Sequence, residues 1–170
     1  QIGMGFGPLE SGLRAAPWTM VPMVVAPEAG VLVKRYGPRT VLLIGMMLQT
    51  TAVGCFVLLA HTSSGYGFYV LPMLIAGTGM GLTFSPLATA VLEGIASQDR
   101  AVVSGVNQTA RQLGTATGIA LCTALFTTFG AYASGERFTA GLVPALGACT
   151  VLLVAATALV IVMPRSRLQP

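Results

Sequence analysis

The chain has 170 residues, of which 54% are apolar and only 8% charged, with a mean hydropathy of +0.80. Soluble domains carry about 25% charged residues, so nine Lys/Arg and five Asp/Glu cannot cover a water-soluble globule of this size. Soluble enzyme, nucleic-acid binder and disordered linker are excluded, and the solvent for most of the chain is lipid. The net charge of +4 does not alter this. A nucleic-acid partner needs a clustered basic face, and here the cations stand singly or in small groups between apolar runs.

Five stretches reach the roughly 20 mostly apolar residues that a spanning helix requires. They predict helices over residues 13–33, 40–60, 68–92, 102–129 and 140–163. The runs are too long for the strands of a transmembrane barrel and lack their two-residue alternation. The connections at 34–39, 61–67, 93–101 and 130–139 are short, so neighbouring helices run antiparallel. Lys34, Arg35, Arg39, Arg100, Arg165 and Arg167 then share one side, against Arg14 and Arg137 on the other. The positive-inside rule makes the richer side cytoplasmic, placing the C-terminus inside and the N-terminus outside. The expected fold class is an all-α integral membrane bundle, multi-pass in a cell membrane. Gln1 is not an initiator Met and no basic signal region follows it, so the chain reads as a piece of a longer protein.

The first span holds Pro17, Pro22 and Pro27 at five-residue spacing, followed directly by Glu28. Pro27 cannot donate to the carbonyl of Met23, so a kink beside the acid is expected. A charge inside hydrocarbon costs about 2.5–3.5 kcal/mol on insertion scales, and its default reading is a functional site. Snorkelling to the nearby surface is the bland alternative, open to a long Arg and closed to a short Glu. Glu28 is the candidate proton-coupling residue. The antiparallel arrangement also allows it to pair with Arg111 of the fourth span. Such a pair would set desolvation of the carboxylate against the field of the guanidinium.

The second span carries no charge. The third holds Gly77, Gly79 and Gly81, which suit close helix packing, then Thr83, Ser85 and Pro86, which suit a bending, cavity-lining helix. The fourth has a polar face of Asn107, Gln108, Arg111, Gln112 and Thr115, with (i, i+4) spacings joining Asn107 to Arg111 and Gln108 to Gln112. Thr83, Ser85, Asn107, Gln108, Arg111 and Gln112 are the candidates for a translocation path or gate. Beyond them Ala110, Gly114, Gly118 and Cys122 form a small-residue stripe. The fifth span is uncharged. The entries Ser11-Gly12-Leu13 and Ser104-Gly105-Val106 echo one another three helices apart, as inverted repeats do.

Catalytic chemistry finds no footing. One His (His61) and one Asp (Asp99) give no Ser/His/Asp set, and no Cys/His spacing suits zinc. The single Lys follows no phosphate-cradling glycine loop, and Gly77-Thr78-Gly79-Met80-Gly81-Leu82 lies within a span, with no strand before it. No metal, cofactor or enzymatic role is expected. Cys55, Cys122 and Cys149 lie in apolar runs and read as small hydrophobes.

The run Ser104-Gly105-Val106-Asn107-Gln108-Thr109-Ala110-Arg111-Gln112-Leu113-Gly114 resembles the SG-[VL]-N-x-T-x-R-Q-L-G run of major facilitator superfamily transporters, closest to the fourteen-span drug:proton antiporters. Ser11-Gly12-Leu13-Arg14-Ala15-Ala16-Pro17 and Ser85-Pro86-Leu87 support the likeness. Gly30, Lys34, Arg35, Gly37 and Arg39 resemble the G-x-x-x-D-[RK]-x-G-[RK] cytoplasmic loop motif, with Lys34 where the motif has Asp. The resemblance implies five helices of a six-helix C-terminal half, with the N-terminal half absent. The second and fifth helices would be outer, the third central, and the first and fourth at the interface with the other half. It also implies proton-coupled efflux of hydrophobic or amphipathic small molecules by alternating access, with the bilayer, protons and solute as partners. A metabolite transporter of the same superfamily and a non-transporting membrane scaffold are the alternatives.

Overall fold

The computed structural model describes residues 7–60, 65–92, 94–131 and 135–162. Five helices follow one another: α1 (Pro8–Tyr36), α2 (Pro38–Ala60), α3 (Gly67–Leu92), α4 (Arg100–Phe129) and α5 (Gly135–Val162). All five are long and apolar enough to cross a membrane, and no strand occurs among the described residues. Arg165 and Arg167, used above to assign sides, and His61 lie outside those residues.

The helices outrun the apolar stretches because charged residues belong to their ends. Pro8 opens α1 at its first turn, where a missing N–H is harmless. Lys34 and Arg35 form its last turn, where cations face the negative end of the helix dipole. The stretch 34–39 is therefore not a loop. Gly37 alone separates α1 from α2, at φ +81, with its N–H on the Val33 carbonyl. That left-handed turn suits Gly, and Pro38 starts the next helix. α1 also continues across Pro17, Pro22 and Pro27, and α3 across Pro72 and Pro86.

α3 holds the centre, touching α1, α2 and α4; α2 touches α1, α3 and α5; α5 touches α4. Without a hydrophobic drive between helices in lipid, close packing must do the joining, and glycines permit it here. A Cβ on Gly79 would stand 2.7 Å from the Gly45 carbonyl oxygen of α2. On Gly77 it would meet the Trp18 carbonyl oxygen of α1 at 2.9 Å, and on Gly81 the Val25 Cβ at 2.9 Å. At 100° per residue Gly77 and Gly81 share the α1 face, while Gly79 turns to α2. Ala29, Val33, Val41 and Leu82 close the core where α1, α2 and α3 meet. Thr83 Oγ1 accepts from Gln49 Nε2 at 2.8 Å and donates to the Gly79 carbonyl at 2.7 Å, so the hydroxyl at that seam is satisfied both as acceptor and as donor.

α5 joins α4 through Gly130 and Gly141, where an added Cβ would lie 2.5–2.8 Å from the facing backbone. The Phe126 and Phe138 rings meet edge-on at 5.3 Å. Along the same contact Cys122 Sγ and Cys149 Sγ stand 3.3 Å apart. Diamide treatment of the full-length protein is expected to remove one hydrogen from each thiol and close a Cys122–Cys149 disulfide, the N=N bond of diamide taking up both hydrogens to give the hydrazinedicarboxamide. After cleavage at Arg137 the two peptides should stay joined until a reductant is added. Peptides that separate without reductant would contradict the α4–α5 packing.

Candidate functional site

α4 leaves most of its surface open. Phe126 is its one buried residue, and the N-terminal half of α4 leans on α3 to enclose a cleft of about 240 Å³. Leu87, Ala88, Val91 and Leu92 line the α3 wall; Ser104, Asn107, Gln108 and Arg111 line the α4 wall. The two faces differ in chemistry because α3 turns its apolar side, and α4 its polar side, toward the same space. Phe84 lies at the same cleft beneath the guanidinium of Arg111, whose Cζ is 5.4 Å from the ring centroid. Arg111 donates to Gln108 Oε1 at 2.7 Å. This (i, i+3) bond stands in place of the expected Asn107–Arg111 pairing, although Asn107 lines the same cleft.

Phe84 carried no expectation from the sequence; its signal was an aromatic beside Ser85 in a glycine-rich span. Ser85 itself is half-buried beside it, and its carbonyl accepts from Thr89 Oγ1 at 3.2 Å. Thr83 lies at the α2–α3 seam described above. Gln112 is exposed on α4, away from the cleft lining. Thr115 spends its hydroxyl on the Arg111 carbonyl, at 2.9 Å. Gly114 and Gly118 meet nothing within 4 Å.

Glu28 sits exposed on α1, next to the fully buried Ala29. α1 and α4 do not touch, so the Glu28–Arg111 pair allowed by the antiparallel arrangement does not form: α3 stands between the two helices. The longer helices also deepen both charges. Glu28 lies eight residues before Tyr36, about 12 Å along the axis, and Arg111 eleven residues after Arg100, about 16 Å.

In the loop-motif segment, Lys34 and Arg35 are exposed and Arg35 lies over the Tyr36 ring at 5.3 Å. Gly30 meets nothing within 4 Å. Arg39, at the first turn of α2, donates from Nε to the Val160 carbonyl at 3.3 Å and from Nη2 to the Ile161 carbonyl. A guanidinium thus caps the unpaired carbonyls at the end of α5. The α1–α2 turn and the end of α5 are thereby tied together on one side of the bundle.

The chain is thus a multi-span membrane bundle whose third and fourth helices enclose a half-polar, half-apolar cleft. Residues 1–119 match the Major Facilitator Superfamily, and the chain belongs to that family. It is 29% identical over 167 residues to the uncharacterized transporter YebQ of Escherichia coli, covering 98% of this chain and 35% of that protein. It is 31% identical over 122 residues to the multidrug resistance protein B homolog of Mycobacterium tuberculosis, covering 71% of this chain and 22% of the relative. The tetracenomycin C resistance and export protein of Streptomyces glaucescens is 28% identical over 117 residues, covering 69% and 22%. The chain therefore spans about a third or less of the length of these relatives.

Proposed function

We propose that the chain forms part of a secondary active exporter that moves hydrophobic or amphipathic small molecules outward in exchange for protons. The observation that carries this reading is the α3–α4 cleft, where Arg111 stands inside a span with polar groups around it and an apolar wall opposite. A charge kept at that depth is tolerable beside a wet cavity and costly beside lipid alone. Two of the relatives named above are called resistance proteins, which favours efflux as the direction. Alternating access would open the cleft to one side and then the other, with the C-terminus and the Arg39 clasp on the cytoplasmic side. The open face of α4 would meet the other half of the transporter.

In this reading Glu28 takes up and releases the coupling proton. Its carboxylate lies within the α1 span on an exposed position, and a charge placed there is costly unless water reaches it, so opening it to one compartment and then the other would exchange its proton. Glu28→Gln in the full-length carrier is therefore expected to abolish the pH dependence of solute uptake into everted vesicles, with expression unchanged. Uptake that still follows the imposed pH gradient would remove Glu28 from the coupling step.

A further inference from the structure

We propose that the α3–α4 cleft is a binding site for the acid group of an amphiphile, a carboxylate or phosphate head carrying an alkyl body. The inference deepens the transport reading above. Among the described residues that line the cleft, Arg111 is the only cation and none is a carboxylate. Among the described residues Arg111 has no ion-pair partner, and the nearest candidate by depth, Glu28, sits on a helix that never reaches α4. Its guanidinium is nevertheless held in place, over the Phe84 ring and against Gln108 Oε1. One donor is spent on Gln108, which leaves most of the five N–H groups of the fork for a ligand.

The surroundings select the sign of that ligand. A cationic amphiphile would meet a like charge, with no acid among the described lining residues to receive it. A neutral one would leave the guanidinium uncompensated. An acid satisfies it, with Ser104 and Asn107 able to donate from the same helix. Leu87, Val91 and Leu92 then offer the body an apolar wall. At roughly 30 Å³ per water, the 240 Å³ cleft holds about eight water-sized groups. That accommodates a head group and the first carbons of a chain, the remainder lying along α3.

A transported acid and an anionic phospholipid present the same chemistry. The test uses the full-length carrier in phosphatidylcholine nanodiscs, with dansyl-labelled undecanoic acid and its primary amide as probes and empty discs as the blank. The acid is expected to bind about ten-fold or more tightly than the amide, the scale of one charge-assisted contact. Arg111→Gln should bring the acid down to the affinity of the amide. Val91→Trp, which fills the cleft and keeps the charge, should weaken both probes. Equal affinity for acid and amide in the wild-type carrier would overturn the site without needing any variant, as would an Arg111→Gln carrier that still prefers the acid. Repeating the titration in discs of equimolar phosphatidylglycerol separates the two sources. Loss of acid binding there assigns the site to a bilayer lipid, and retained binding assigns it to a solute. Binding is read without a gradient, so a carrier that prefers the acid but transports nothing retains the site and loses the transport reading. One that transports without that preference loses the site alone.

Discussion

Gly79→Ala is expected to lower the melting temperature of the full-length carrier in detergent, while Gly54→Ala on α2 leaves it near that of the wild type. The new methyl at position 79 would stand 2.7 Å from the Gly45 carbonyl oxygen, 2.8 Å from Gln49 Cγ and 2.9 Å from Gln49 N. Two of those atoms are backbone and cannot swing aside. The helices must separate, and separation draws Gln49 Nε2 away from Thr83 Oγ1, which are now 2.8 Å apart. Overpacking of this kind costs about 1–3 kcal/mol, and the loss of the partly buried Gln49–Thr83 hydrogen bond adds to it. Gly54 meets nothing within 4 Å, so the same change there adds only helix propensity, which favours Ala. Equal melting temperatures for the two variants would show that α2 and α3 do not approach through Gly45 and Gly79.

The number and order of helices were legible because a run of 20 apolar residues has few other uses in a chain so poor in charge. Their ends were not legible by the same rule. Hydropathy stops at Val33, but the helix goes on to Tyr36, since Lys34 and Arg35 are good residues for a helix C-terminus. The glycine cluster of α3 announced close packing, and its spacing already implied two faces. Nothing local said that Gly79 would meet Gly45, or that Gln49, the one amide of its span, would close on Thr83. One wall of the cleft was legible on α4, where six polar residues stand within nine positions. Its partner wall was hidden, because the apolar side of a cleft looks like any lipid-facing surface until the fold brings the two together. The Glu28–Arg111 pairing failed for a tertiary reason: depth and direction were compatible, but α3 occupies the space between. Cys122 and Cys149 likewise looked like two unrelated hydrophobes until α4 and α5 were set side by side.

Arg111 decides whether the polar face of α4 does chemistry or merely survives in lipid. Arg111→Ala is expected to reduce transport by the full-length carrier about 100-fold, equivalent to ~3 kcal/mol at the rate-limiting step, and Arg111→Lys to restore little of it. The reasoning lies in the shape of the contacts. The side chain lies over Phe84 while donating to Gln108, a combination a planar guanidinium achieves and a point-like ammonium does not. Lys would keep the charge and the long stem, and so would keep any benefit of snorkelling. It would lose the stacking on α3 and the fork of donors. Three outcomes in everted vesicles therefore separate three roles. Activity in both variants means the charge is only being carried to the surface. Activity in Lys alone means the site requires a positive charge without regard to geometry. Loss in both, with normal amounts of carrier in the membrane, means that the oriented guanidinium across the α3–α4 cleft is what the transport cycle uses.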